Sequence, residues 1–190
     1  MTAGLDRVHL WWADLTLAQS GLHSCVSSAE SERASSYTSP ADQGRSLLAA
    51  ALLRAVTARA LNRDPMSIQV DRECQDCGQP HGKPIIDGIH VSVSHAGLLI
   101  VVAAGPVPVG VDVERIADLT RSGYEGGVEQ WCAAEARTKL GHSGTVTCQQ
   151  VETPIAGYGA CVAVARSRPA RLVLHGVAAS ARALQEHCPC

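Results

Sequence analysis

Phenylalanine is absent from this 190-residue chain, and aromatic side chains make up only 3% of it. A core must therefore be assembled mainly from Ala, Leu and Val. The segment from Met1 to Trp12 has no cationic region followed by a long apolar run, so no signal peptide is expected. No apolar stretch approaches the roughly 18 residues a membrane span requires, so no membrane segment is expected either. A large excess of charge of either sign is also missing. A net charge of −2 gives no overall attraction to nucleic acid or a lipid surface, and any anion-binding surface must be local. Eight cysteines without a secretion signal indicate reduced thiols in a cytoplasmic protein rather than a disulfide framework.

What is present suffices for one sizeable core or two small fused ones. Arg7 to Ala13 reads as a short strand, and the Ser-rich segment from Ser20 to Ser39 holds a helix with Glu30, Glu32 and Arg33. Pro40-Ala41-Asp42 opens the clearest helix, with an apolar stripe at Leu47, Leu48, Ala51, Leu52, Ala55 and Val56, ending near Asn62. Arg45, Arg54, Arg59 and Arg63 decorate it, mostly as a solvated face. Ser67 to Arg72, His90 to Ser94, Leu98 to Ala104 and Val109 to Glu114 read as strands. The last three, joined by tight turns, argue for an antiparallel sheet packed on helices. Residues 115–127 read as a loop and Glu129 to Leu140 as a helix capped by Gly141. Gly159 to Ala165 and Arg171 to Val177 look like two strands of a second sheet, followed by a terminal helix from Ala178 to His187. No internal sequence repeat is evident.

Two stretches carry chemistry. In Val109-Gly-Val-Asp112-Val-Glu114, the strand period of two sends Asp112 and Glu114 to one face and the valines to the other. Two acids on one face of a buried strand repel and are costly to desolvate, and a divalent cation such as Mg²⁺ would relieve both. The plainer reading places them at an exposed strand end beside Arg115. Ser94 and His95 end a strand near the same point, which makes them plausible phosphate contacts. Glu135 and Lys139 are an ordinary i, i+4 helix pair in the plain reading, and a cation ligand and a phosphate ligand in the sharper one.

The second stretch is Cys74-x-x-Cys77 followed by His81, which has the look of half a zinc site. Only three ligands are local; Cys25, Cys132 or another residue would have to supply a fourth. The alternative is a tight loop with two ordinary thiols.

The ordered set His81-Gly-Lys83-Pro84, Val91-Ser-Val-Ser94-His95-Ala-Gly97, Val109-Gly-Val-Asp112-Val-Glu114 and Trp131-Cys-Ala-Ala-Glu135-Ala-Arg-Thr-Lys139 resembles phosphopantetheinyl transferases of the Sfp type. The Cys-x-x-Cys-Gly lead-in resembles the actinobacterial members. The resemblance runs from about residue 30 to about residue 140. It implies an α+β fold of two pseudo-repeated halves, residues 1–105 and 106–190, each a small antiparallel sheet with a long helix, the second carrying the metal-binding acids. It also implies Mg²⁺-dependent transfer of the phosphopantetheine arm of coenzyme A to a serine of an apo acyl or peptidyl carrier protein, by a monomer. Under the same resemblance Arg45 and His95 would contact the nucleotide's phosphates, Lys83 and Pro84 would line the adenine side, and Ser94 would belong to the same coenzyme A site. Asp112, Glu114 and Glu135 would surround Mg²⁺, Glu135 would help deprotonate the carrier serine, and Lys139 would neutralise the pyrophosphate.

The chain departs from the family at two places. Ala134 stands where the family's last motif usually has Lys, and only 16 residues separate Glu114 from Trp131, where typical members carry a longer, Phe-rich insert. That shortening leaves a second expectation open: a catalytically impaired relative that binds coenzyme A or a carrier protein in a regulatory or scaffolding role.

Overall fold

The computed structural model describes residues 7–74 and 77–187. In chain order they form β1 (Arg7–Asp14), α1 (Ser28–Ser35), α2 (Pro40–Leu61), β2 (His90–Ala96), β3 (Leu99–Gly105), β4 (Val109–Arg115), α3 (Ile116–Arg121), α4 (Val128–Leu140), β5 (Thr147–Gln150), β6 (Tyr158–Val164), β7 (Arg171–His175) and α5 (Val177–His187). Short 3-10 turns join β1 to α1 and follow α2. Among the described residues no helix is long and apolar enough to cross a membrane.

The strands make two sheets, ordered β2-β3-β1-β7 and β4-β6-β5. The fold is α+β, as expected, but two assignments change. β4 leaves the strands that precede it and founds the second sheet. β7, expected in the second sheet, instead pairs in parallel with β1 in the first. Residues 115–127, read as a loop, include α3, and Ser67 to Arg72, read as a strand, follows a 3-10 turn at Pro65–Ser67 and makes only a single bridge from Asp71 to Ile85.

Strand periodicity builds the layers. Trp11, Ala13, Ile100 and Val102 face α1, α2 and α5 in the main core. Their alternates Leu10, Trp12, Leu99 and Val101 face Val109, Val111, Val113 and Val162 of the second sheet. On the far side of that sheet, α4 covers Cys161 and Ala163 with Cys132, Ala136 and Leu140, spaced i, i+4, i+8.

Pro40 at the first helical turn and Asn62, in the left-handed region at φ 52°, bound α2. The helix is buried continuously from Leu47 to Ala58 rather than along a stripe alone. Arg54, expected on a solvated face, is therefore inside, at 4% exposure. It donates to Glu30 at 2.6 Å and to the carbonyls of Pro65 and Ile68 at 2.9 and 3.0 Å, which satisfies its charge and fixes the turn after α2. Glu30 also closes the capping box of α1 with Ser27. One buried carboxylate thus ties α1 to α2.

Cys25 is disulfide-bonded, against the expectation of reduced thiols throughout, whereas Cys77, Cys132, Cys148 and Cys161 are free.

Candidate functional site

The site forms where the two sheets meet. β2 and β4 are the edges of their respective sheets, and serine hydroxyls join them in place of a backbone ladder. Ser92 Oγ accepts the Val111 N–H at 3.0 Å, and Ser94 Oγ accepts the Val113 N–H at 3.3 Å. The alternation His-Val-Ser-Val-Ser brings this about: Val91 and Val93 turn to the main core, so Ser92 and Ser94 turn to β4.

Valines 109, 111 and 113 take the inter-sheet face of β4, leaving Asp112 for the face under α4. Asp112 is 1% exposed. Its Oδ1 accepts from Lys139 Nζ at 2.6 Å and from Ser94 Oγ at 3.0 Å. Lys139 also donates to Ser94 Oγ at 2.8 Å. The Ser94 hydroxyl therefore uses its one donor and both acceptor positions. Asp112 Oδ2 is buried without a partner.

α4 is held against β4 by close backbone approach. A Cβ on Gly110 would lie 2.0 Å from the Ala136 carbonyl oxygen and 2.6 Å from the Leu140 nitrogen. Only glycine lets the helix sit low enough for Lys139 to reach Asp112.

Glu114, half-buried two residues on, has its carboxyl pKa raised, first by burial and then by the Asp112 charge. The Trp131 indole N–H lies near enough to oppose this in part but closes no hydrogen bond and stays buried without a partner. Glu135, Glu114, Asp112 and Lys139 all line one cleft of about 240 Å³, with Ser94 and His95 at its β2 wall. His95 is exposed at the rim, yet its pKa is lowered by the crowding around the ring and then by the charges of Arg45 and Lys139.

Another part of the lining was not anticipated as part of a site. It holds Glu30 and Arg33 from α1 and Arg72 from the segment after α2, with Tyr37 between the helices. Burial, then the Arg33 charge, pushes the Arg72 pKa down to about 10. Two guanidiniums crowded at the cost of a lowered pKa make this part of it a ready anion-binding surface. No sequence pattern flags them, because each is a lone Arg on a different segment.

Other expected residues lie elsewhere. Arg45 donates to the Gly97 carbonyl at 2.6 Å and pairs with Asp42, which positions the turn after β2 without lining the cleft. Lys83 donates to the carbonyls of Val109 and Leu140 at 2.8 and 3.4 Å. It ties the start of β4 to the end of α4, and burial lowers its pKa. Pro84 is buried and does not line the cleft.

The oxygen donors suit a hard divalent cation such as Mg²⁺: an orphaned, buried Asp112 Oδ2, and a Glu114 whose charge is disfavoured as it stands. Asp112, Glu114 and Glu135 do not all approach within 4.8 Å of one another; among the described residues the one trio of donors that does is Cys74, Cys77 and His81. Mg²⁺ tolerates an open set of carboxylates because it keeps several of its waters.

A family model described as 4′-phosphopantetheinyl transferase, N-terminal, matches residues 12–107, just over half of the chain. The 4′-phosphopantetheinyl transferase of Bacillus subtilis is 31% identical over 91 residues, covering 48% of this chain and 39% of that protein. The 4′-phosphopantetheinyl transferase gsp of Aneurinibacillus migulanus is 32% identical over 99 residues, 52% of this chain and 39% of its own length. The chain thus matches about two-fifths of the length of these relatives. The family match ends before Asp112.

Proposed function

The chain belongs to the 4′-phosphopantetheinyl transferase family, and from that premise we propose that it transfers the phosphopantetheine arm of coenzyme A to a serine hydroxyl of an apo acyl or peptidyl carrier protein, with Mg²⁺. The observation that carries this reading is the cleft itself. Carboxylates of Asp112, Glu114 and Glu135, from β4 and α4, line it together with the guanidiniums of Arg33 and Arg72. A pyrophosphate-bearing substrate needs both: carboxylates that could hold a charge-neutralising cation, and positive side chains for its phosphates.

In this reading Asp112, Glu114 and Glu135 would hold Mg²⁺, which when bound would supply positive charge to neutralise the pyrophosphate. Lys139, fixed by Asp112 and Ser94, adds a localised positive charge at the same place. Glu135 is half-exposed at the cleft and takes the proton of the incoming serine, directly or through water. His95 at the rim and the guanidiniums of Arg33 and Arg72 bind the nucleotide's phosphates. The hydroxyl oxygen attacks the β-phosphorus, and adenosine 3′,5′-bisphosphate departs.

The test is intact mass of an apo carrier protein incubated with this chain, coenzyme A and Mg²⁺. A gain of one phosphopantetheine arm is expected. No gain across several carriers would overturn the transferase reading. Coenzyme A should also raise the thermal midpoint by mass action, and more so with Mg²⁺.

A further inference from the structure

Beyond Arg72, which lines the cleft, the loop that runs to Gly82 has an organisation of its own. Its ends are pinned together, the Gly82 N–H donating to the Arg72 carbonyl at 2.8 Å. The crossing is tight, since a Cβ on Gly82 would lie 2.8 Å from the Glu73 carbonyl oxygen. At the tip the chain reverses: the Gly78 N–H donates to the Cys74 carbonyl at 2.8 Å and the Cys74 N–H to the Gln79 carbonyl at 2.9 Å. Gly78 sits at φ 70°, a conformation glycine adopts without strain. The reversal gathers three side chains. The Cys74 and Cys77 sulfurs and a His81 ring nitrogen all lie within 4.8 Å of one another, and Cys77 Sγ is 3.0 Å from His81 Nε2.

No described residue of this loop is buried. It encloses no apolar core, yet it is turned so that two soft sulfur donors and an imidazole converge. Two thiolates on a tetrahedral zinc ion stand about 3.8 Å apart, given Zn–S bonds of about 2.3 Å, which this spacing accommodates. The donor set selects Zn²⁺ or a similar borderline metal over Mg²⁺. We propose that Cys74, Cys77 and His81 form a zinc site, separate from the carboxylate cleft, that cross-links this loop and thereby sets the position of Arg72 at its base.

Neither cysteine considered as a fourth ligand belongs to this trio of donors. Cys132 is buried under α4, its thiol donating to the Gly159 carbonyl at 3.3 Å, and Cys25 is in a disulfide. Three protein ligands leave one tetrahedral position for water or an exogenous donor, and the exposure of Cys77 and His81 puts it at the surface. Metal binding there releases the thiol protons and couples to order in the loop.

The experiment uses the full chain, reduced, stripped with chelator and titrated with Co²⁺, then Zn²⁺. Expected are a thiolate-to-cobalt absorption band and visible d–d bands of tetrahedral cobalt, saturating at about one equivalent and bleached by one equivalent of Zn²⁺. The variants Cys77→Ser and His81→Asn should each lower zinc affinity at least about tenfold, as loss of one of three ligands requires. Hydrogen exchange across residues 72–82 should slow when Zn²⁺ is added to wild type. Absence of a thiolate–cobalt band in the reduced wild-type chain would overturn the proposal, and so would zinc bound equally well by both variants. Every readout is independent of carrier modification, so failure here and failure of the transferase reading are distinguishable.

Discussion

The two long packing helices serve their sheets in opposite ways. α2 buries twelve consecutive residues, Leu47 to Ala58, and reaches its neighbours on all sides. α4 buries only Cys132, Ala136 and Leu140, and leaves Glu135 and Lys139 half-exposed over the cleft. The first sheet is held by a broad apolar core, whereas the second is covered by a narrow stripe of small side chains and a backbone contact at Gly110. Charged groups that must meet a ligand need one face of their element free, and a helix buried all round has none to offer. The acids Asp112, Glu114 and Glu135 accordingly line the cleft from β4 and α4, while α2 contributes only Ser46, Ala49 and Ala50 to its lining.

The largest test of this contrast falls on the anchoring half. Glu30→Ala strands the buried Arg54 and should destabilise the fold by about 3–5 kcal/mol in chemical denaturation. A loss below about 1 kcal/mol would mean that α1 and α2 are not joined through this pair. Next, Asp112→Asn should leave the first core intact but lower carrier modification by about 100-fold or more, measured as initial rate. If instead both stability collapses and the rate of the surviving folded fraction is unchanged, Asp112 belongs to the scaffold and the contrast fails.

Gly110→Ala should cost about 1–3 kcal/mol by lifting α4, with activity falling further than stability because Lys139 is carried away from Asp112. A crystal structure of that variant with α4 unmoved would refute the low seat assigned to the glycine. The smallest effect concerns the first sheet's rim. His9 Nδ1 and His175 Nε2 lie 2.9 Å apart, and Trp11 stacks on His175. Burial lowers both imidazole pKa values below the ordinary 6.5, with Arg7 adding to the shift at His9 and the His9 and Arg59 charges at His175. The unfolded chain then binds more protons, so stability should fall as pH drops through about 6.5 and be restored above it. His9→Gln should flatten that slope in thermal melts at pH 5 and pH 7.5; an unchanged slope would assign it to another group.

Much of this was legible beforehand, for reasons that differ along the chain. β2 and β4 announce themselves by alternation, β3 by a continuous apolar run ending at Gly105-Pro106, and α2 by its apolar spacing and its Pro and Asn boundaries. The paired placement of Asp112 and Glu114 follows from a period of two. β5 could not be seen, because Thr147-Cys-Gln-Gln150 neither alternates nor carries apolar bulk. The partner of β7 is a tertiary choice: Arg171–His175 alternates equally well for either sheet, and pairing with β1 is decided by where the chain arrives after β6. Arg54 was misjudged because an arginine on a helix is usually solvated, and its burial depends on Glu30, 24 residues away. The Arg33 and Arg72 grouping depends likewise on contacts between segments distant in sequence.

The serine seam between β2 and β4 has a bearing on solubility. Each sheet ends there in a strand edge, and an uncovered edge is a template on which a foreign chain can add. Here Ser92 and Ser94 occupy the Val111 and Val113 N–H groups, so each edge shields the other without merging the two sheets into one ladder. Removing the hydroxyls would leave main-chain donors of β4 seeking new acceptors, and the first symptom would be self-association rather than unfolding.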